Sequence, residues 1–330
     1  MNSVHSPILN VRDLVVRFVA RDQTIYAVNG VDFTLEASEA LVILGESGCG
    51  KSVTLRSLIR ILPPKRAQIS GSIEVDKQNV LTLSEKELSE YRGAVVSMIF
   101  QEPMLALDPV YTIGQQITEV VRRHLGADGP TARKRALEML DLVRIPSPSR
   151  RLNNYPHEMS GGMRQRAMIA LALSCKPKIL LADEPTTALD ATVQIQILLL
   201  LRELQKELGM AVIFVTHDIG AAAEMADRIA VMYAGRFVEV GSARDVIKAS
   251  QHPYTKGLLT STAHGVIRGQ RIDAIPGAPP DLTTPPRGCS FAPRCKFFRP
   301  ECGKQTPRST EIIEGHQASC FLISPQKADG

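Results

Sequence analysis

The stretch Ala40 to Ser52, ALVILGESGCGKS, constrains this chain more than any other. An unbroken apolar run reads as a strand buried on both faces. It leads into Gly45-Glu46-Ser47-Gly48-Cys49-Gly50-Lys51-Ser52, which fits G-x-x-x-x-G-K-[ST], and residues 51–62 then follow a helical pattern. Glycines let consecutive backbone N–H groups turn inward, and the helix N-terminus adds a positive dipole. The expectation is a cradle for phosphate oxygens, with Lys51 reaching the β- and γ-phosphates and the Ser52 hydroxyl binding Mg2+.

Strand and helix alternate around that loop. Residues 8–36 alternate polar and apolar in short runs, as antiparallel β does. AVVSMIFQ at 94–101, KILLAD at 178–183 and AVIFVT at 211–216 read as further strands, and residues 229–241 as a closing hairpin. A largely helical segment reaches to about 175, and a long helix covers 191–207. This order predicts a parallel α/β sheet with an antiparallel β flank.

Composition narrows the function. Tryptophan is absent and aromatics reach only 5%, which gives a base-stacking nucleic-acid surface no support. The net charge of +5 suits phosphates or acidic lipid head groups and suits an ordinary solvated surface equally. No apolar stretch approaches the ~18 residues of a membrane span, and the N-terminus has no secretory pattern. A cytoplasmic chain whose membrane role comes through a partner is expected.

Ile179-Leu-Leu-Ala-Asp183-Glu184 is an apolar strand ending in adjacent carboxylates. After a phosphate loop, Asp183 is expected to position the metal and Glu184 to polarise the attacking water. Between the two motifs lies Met159-Ser160-Gly161-Gly162-Met163, a hydroxyl and two glycines before a helical run. It resembles the LSGGQ signature of ATP-binding cassette (ABC) proteins, with methionine in place of the first leucine and the final glutamine. Other landmarks of that family follow in order. Gln101 corresponds to the Q-loop, Thr187-Ala188-Leu189-Asp190 resembles the D-loop, and His217 resembles the switch histidine. Phe18 sits where the family stacks an aromatic on adenine, with Tyr26 a competing candidate.

The resemblance implies an ABC-type P-loop NTPase cassette over residues 1–250. It comprises a RecA-like parallel sheet core, an antiparallel β flank and a helical signature subdomain at about 102–175. It implies ATP and Mg2+ bound by Gly45–Ser52, Gln101 and Asp183, with Ser160, Gly161 and Gly162 of the signature facing the ATP of a second, identical or related cassette. Glu184 and His217 are the implied catalytic pair. Cys49 is expected to serve as a small residue rather than a redox sensor, in an amide-lined place of the kind that can lower a thiol pKa. Thiol alkylation is then expected to inhibit ATPase activity, with ATP protecting.

Residues 251–330 are a separate C-terminal extension in this reading. His252-Pro253-Tyr254-Thr255, Ile275-Pro276-Gly277 and Gly288-Cys289-Ser-Phe-Ala-Pro293-Arg294-Cys295 resemble the oligopeptide/dipeptide importer branch, as do QEPMLALDP and DEPTTALD. That branch implies two membrane permease subunits and, indirectly, a solute-binding protein at the inner membrane. Peptide is its commonest cargo, nickel and sugars being alternatives; a soluble ABC ATPase acting on nucleic acid is the rival. Cys289, Cys295, Cys302 and Cys320 supply four thiolates, enough for tetrahedral zinc or a [4Fe–4S] cluster. The family points to the cluster, zinc and unligated thiols being the alternatives. In a segment crowded with prolines, metal is expected to supply folding energy.

Overall fold

The computed structural model describes residues 6–187, 189–261, 275–285 and 287–323. They fall into two compact units, one drawn from residues 1–35, 40–81 and 215–330, the other from 36–39 and 82–214.

In the first unit, strands Leu9–Val19 and Thr24–Leu35 pair antiparallel, and Ala67–Val75 pairs antiparallel on the far side of Leu9–Val19. Leu9, Val11, Leu14 and Val16 are buried while Arg12 and Arg17 are exposed, the alternation a one-sided sheet imposes. Strand Ala40–Leu44 is buried at every residue and runs parallel to Arg228–Tyr233, which pairs antiparallel with Arg236–Ser242. Helix Lys51–Leu58 ends earlier than its pattern suggests, because Arg60 turns left-handed (φ 50°) ahead of Pro63 and Pro64.

Strand Arg236–Ser242 has a second neighbour that the sequence did not announce. The hairpin Thr310–Ile313/His316–Ala318 adds to its free edge, with Glu239 opposite Ala318 and Val240 opposite Gln317. The C-terminal region, expected to have little core of its own, shares an aromatic core with strand Arg228–Tyr233. Phe291 packs against Tyr233 and Tyr254 at centroid distances of 5.3 and 5.5 Å, and all three rings are buried. Helix Pro253–Thr260 opens the region, and between residues 275 and 309 regular structure among the described residues is limited to single turns, Ala292–Arg294 and Pro300–Gly303. Residues 262–274, part of the 245–275 span in which the boundary between cassette and extension is expected, lie outside the described residues.

The second unit pairs Val96–Ile99 in parallel with Ile179–Asp183. The first of these is shorter than the apolar run 94–101, because helix Glu85–Ala94 occupies the preceding residues and breaks at Gly93 (φ 97°). Helices Ile113–Leu125, Gly129–Leu142 and Gly161–Leu173 form the expected helical part. The long helix Ala191–Leu208 starts where Asp190 accepts from the Val193 amide and stops at left-handed Gly209. It buries Ile197, Leu198, Leu200, Leu201 and Leu204 along one face.

Candidate functional site: a phosphate loop and a carboxylate pair

In the first unit, the buried strand Ala40–Leu44 delivers the chain into the loop Gly45–Ser52. Gly48 and Gly50 have φ of 78° and 111°, which side-chain-bearing residues rarely adopt. At Gly50 a Cβ would also lie 2.5 Å from the Ala27 carbonyl, so glycine is required there twice over. Lys51 opens the following helix and is only 4% exposed. Its ammonium donates to the Gly45 and Glu46 carbonyls at 2.8 and 3.0 Å, which holds it over the loop's concave side.

Cys49 departs from expectation in its pKa alone. It is buried, and burial pushes its thiol pKa up, the nearby Lys51 ammonium offsetting this only in part. A raised pKa leaves little thiolate at neutral pH. Alkylation of Cys49 in the folded chain is therefore expected to be slow at pH 7 and to quicken as pH rises. Mass spectrometry of iodoacetamide-treated protein checks this; stoichiometric labelling within minutes at pH 7 would contradict it.

The same unit carries His217, exposed just past the end of strand Ala211–Thr216. The turn is shaped by Asp218, whose amide donates to Thr216 Oγ1 at 2.9 Å and whose carboxylate caps helix Ile219–Met225. Phe18 and Tyr26, the two candidates for stacking on adenine, are both half-buried in the antiparallel flank. The Arg17 guanidinium lies 5.4 Å from the Tyr26 ring centre, and Phe18 stands opposite Ile25 and Ala67.

In the second unit, strand Ile179–Asp183 ends in a fully buried Asp183. Glu184 follows in a left-handed conformation (φ 45°), costly for a non-glycine residue and of the kind found at functional turns. Its Oε2 accepts from Thr187 Oγ1 at 3.0 Å and, more weakly, from Gln101 Nε2 at 3.4 Å. Residues 83 positions apart are thus brought together. Ala188 lies outside the described residues.

Ser160 is the N-cap of helix Gly161–Leu173 and accepts from the Met163 amide. A Cβ at Gly162 would stand 2.9 Å from Val193 Cγ1, so this glycine admits the long helix alongside. Gln101, Gly161, Arg164 and Leu189 line a single cavity of about 220 Å3.

The four C-terminal cysteines are free, half-buried thiols lining one small cavity. Burial raises Cys289, Cys295 and Cys320, and neighbouring cysteine charges add to the rise in each. His252 lines the same cavity, and its buried Nε2 has no hydrogen-bond partner. Among the described residues, however, no group of three or more His, Cys, Asp or Glu is placed to hold a metal ion. The expected [4Fe–4S] or zinc site gains a shared cavity from the structure, but not a ligating arrangement.

Comparison with known proteins agrees with this layout. Residues 28–187 match the ABC transporter family model, and residues 238–302 match that of the oligopeptide/dipeptide transporter C-terminal region. A probable peptide ABC transporter ATP-binding protein of Sinorhizobium fredii is 50% identical, over 95% of this chain and 94% of its own length. The dipeptide transport ATP-binding protein of Bacillus subtilis is 48% identical, over 96% and 94%. Among solved structures, a dimeric ATP-binding cassette bound to ADP and phosphate superposes with a TM-score of 0.64 at 30% identity, over 72% of this chain and 99% of that one. A component of an ABC transporter complex from Clostridium perfringens gives 0.63 at 30%, over 74% and 91%.

Proposed function

The chain belongs to the ABC transporter ATP-binding proteins, in the oligopeptide/dipeptide branch, and on that premise we propose that it is the ATP-hydrolysing subunit of a peptide importer. The observation that carries this is the glycine-shaped loop with Lys51 poised over it, in a chain that also ends a buried strand in Asp183-Glu184 with Gln101 on Glu184.

The roles follow from the chemistry of each group. Backbone amides of Gly45–Ser52 and the Lys51 ammonium bind the phosphates. The Ser52 hydroxyl, the Asp183 carboxylate and the Gln101 amide oxygen are hard oxygen donors of the kind Mg2+ takes, and the ion supplies charge neutralisation on the phosphate oxygens. Glu184 orients water and accepts its proton, with Thr187 and Gln101 steadying the carboxylate. His217 stands near the γ-phosphate in this reading, and Phe18 stacks on adenine.

The chain holds one phosphate loop and one Ser-Gly-Gly signature. Ser160, Gly161 and Gly162 therefore serve the ATP of a second cassette, identical or related, and the dimeric relative supports this reading. Among the described residues no helix is long and apolar enough to cross a membrane. In this reading the subunit works through two permease partners at the cytoplasmic face of the inner membrane, which the peptide-transport relatives support. A solute-binding protein delivers the peptide to them. Proteoliposomes carrying the chain with its permeases and second cassette are expected to accumulate dipeptide only when ATP and Mg2+ are on the side of the cassettes. ATP hydrolysis without dipeptide uptake would overturn the transport assignment, and no hydrolysis at all would overturn the enzyme.

The four cysteines are proposed as ligands of a thiophilic centre, a [4Fe–4S] cluster ahead of zinc. Support comes from four thiols on one cavity beside the unpartnered His252 Nε2. Anaerobically purified protein is expected to be brown, absorb near ~400 nm and carry about four iron atoms per chain. Stoichiometric zinc, or no metal at all, would refute the cluster.

A further inference from the structure

The structure assigns Arg294 and Tyr254 as positioning residues of the phosphate loop, reaching from the C-terminal region to fix its first turn. The assignment rests on reading Gly45–Ser52 as the ATP-binding loop.

Arg294 meets Glu46, the second residue of the loop, through a fork of two hydrogen bonds, Nη1 to Oε2 at 2.7 Å and Nη2 to Oε1 at 3.1 Å. Such paired contacts fix orientation as well as distance. The arginine is itself immobilised. Its Nε donates to the Pro276 carbonyl at 2.9 Å, Nη1 lies 3.3 Å from Tyr233 Oη, and its side chain is 5% exposed. Tyr254 holds the same residue from its backbone, its hydroxyl accepting from the Glu46 amide at 3.0 Å. That ring is fully buried between Tyr233 and Phe291, and its own amide donates to His252 Nδ1. The Glu46 carbonyl receives the Lys51 ammonium. Carboxylate, amide and carbonyl of one loop residue are thus each held, two of them by side chains more than 200 positions away.

A loop ordered before its ligand arrives spares the binding step that ordering cost. Loosening Glu46 should therefore weaken ATP capture, while the groups that act on water, Glu184 among them, are unaltered. Arg294 and Tyr254 act through Glu46 and not on the nucleotide itself.

The test uses the full-length chain with its second cassette, ATP and Mg2+, measuring equilibrium binding of ATP and steady-state hydrolysis. Arg294→Met is expected to raise the ATP Kd and KM about tenfold, the scale of a lost charge-assisted pair, with kcat held within about twofold. Arg294→Lys should recover part of the affinity, because it restores the charge without the fork. Tyr254→Phe, which removes one acceptor, should raise KM about threefold, the scale of one hydrogen bond. Adding Glu46→Gln to Arg294→Met should change KM little further. Unchanged KM in both Arg294→Met and Tyr254→Phe, or a fall in kcat at constant KM, would overturn the assignment. Should Arg294→Met fail to fold, Arg294→Lys and Tyr254→Phe carry the test by the same readouts. A wild-type chain that binds no ATP would instead overturn the reading of the loop itself.

Discussion

Glu184→Gln is expected to stop turnover while leaving ATP bound. Glutamine keeps the size of the side chain and an oxygen for the Thr187 hydroxyl, which lies 3.0 Å from Glu184 Oε2, so the strained left-handed turn at φ 45° keeps its tie. What it loses is the ability to accept a proton from water at neutral pH. General-base contributions run to about 10²–10⁴, and phosphate release should fall by that factor. If hydrolysis is what separates two cassettes joined through ATP, the variant should also elute at twice the monomer mass when ATP is supplied. Turnover within about tenfold of wild type, well short of a lost general base, would remove Glu184 from that role.

The second large effect is expected from Lys51→Ala. The ammonium is buried and donates to the Gly45 and Glu46 carbonyls, so it shapes the loop as well as offering charge to phosphate in the proposed role. Removing it leaves two carbonyls short of a donor and the phosphate oxygens without their cation. Turnover should fall by about 10²–10³, the scale measured when one preorganised electrostatic contact to a reacting group is deleted. ATP affinity should fall with it, which distinguishes this variant from Glu184→Gln. The folded state should survive at a cost of about 1–3 kcal/mol for the unsatisfied carbonyls. Thermal melting checks the stability and equilibrium dialysis the affinity; full ATP binding at wild-type strength would contradict the role of Lys51.

The phosphate loop and the carboxylate pair were legible because their chemistry leaves few alternatives. The glycine at residue 50 leaves room where a Cβ would stand 2.5 Å from the Ala27 carbonyl, and the short apolar run before Asp183, bounded by a turn, forms a buried strand. Helix Glu85–Ala94 was missed although its signal was present. Ser84 and Glu87 form a capping box, in which the Ser84 side chain takes the Glu87 amide and Glu87 returns to the Ser84 amide. The hairpin at 310–318 was not legible, since strands as short and mixed as TEII and HQA carry no usable period. Cys49 was misjudged for a related reason. Its neighbours in sequence suggest an open, amide-lined loop, while its side chain is buried and its carbonyl accepts from the distant Gly235 amide at 2.8 Å. The aromatic core around Phe291 escaped notice likewise, because its rings come from residues 233, 254 and 291.

The terminal hairpin changes what the end of the chain means. Glu239, on the strand it covers, is 1% exposed and accepts from the Gln251 and His252 amides and from His316 Nε2, a histidine on the hairpin itself. One buried carboxylate therefore rivets the ATPase sheet, the turn leading into Tyr254 and the tail. Cutting before residue 310 would strip that carboxylate of a partner and bare a row of unpaired backbone groups along a hydrophobic edge. Shortened forms of this subunit should behave as sticky, half-finished sheets rather than as trimmed enzymes.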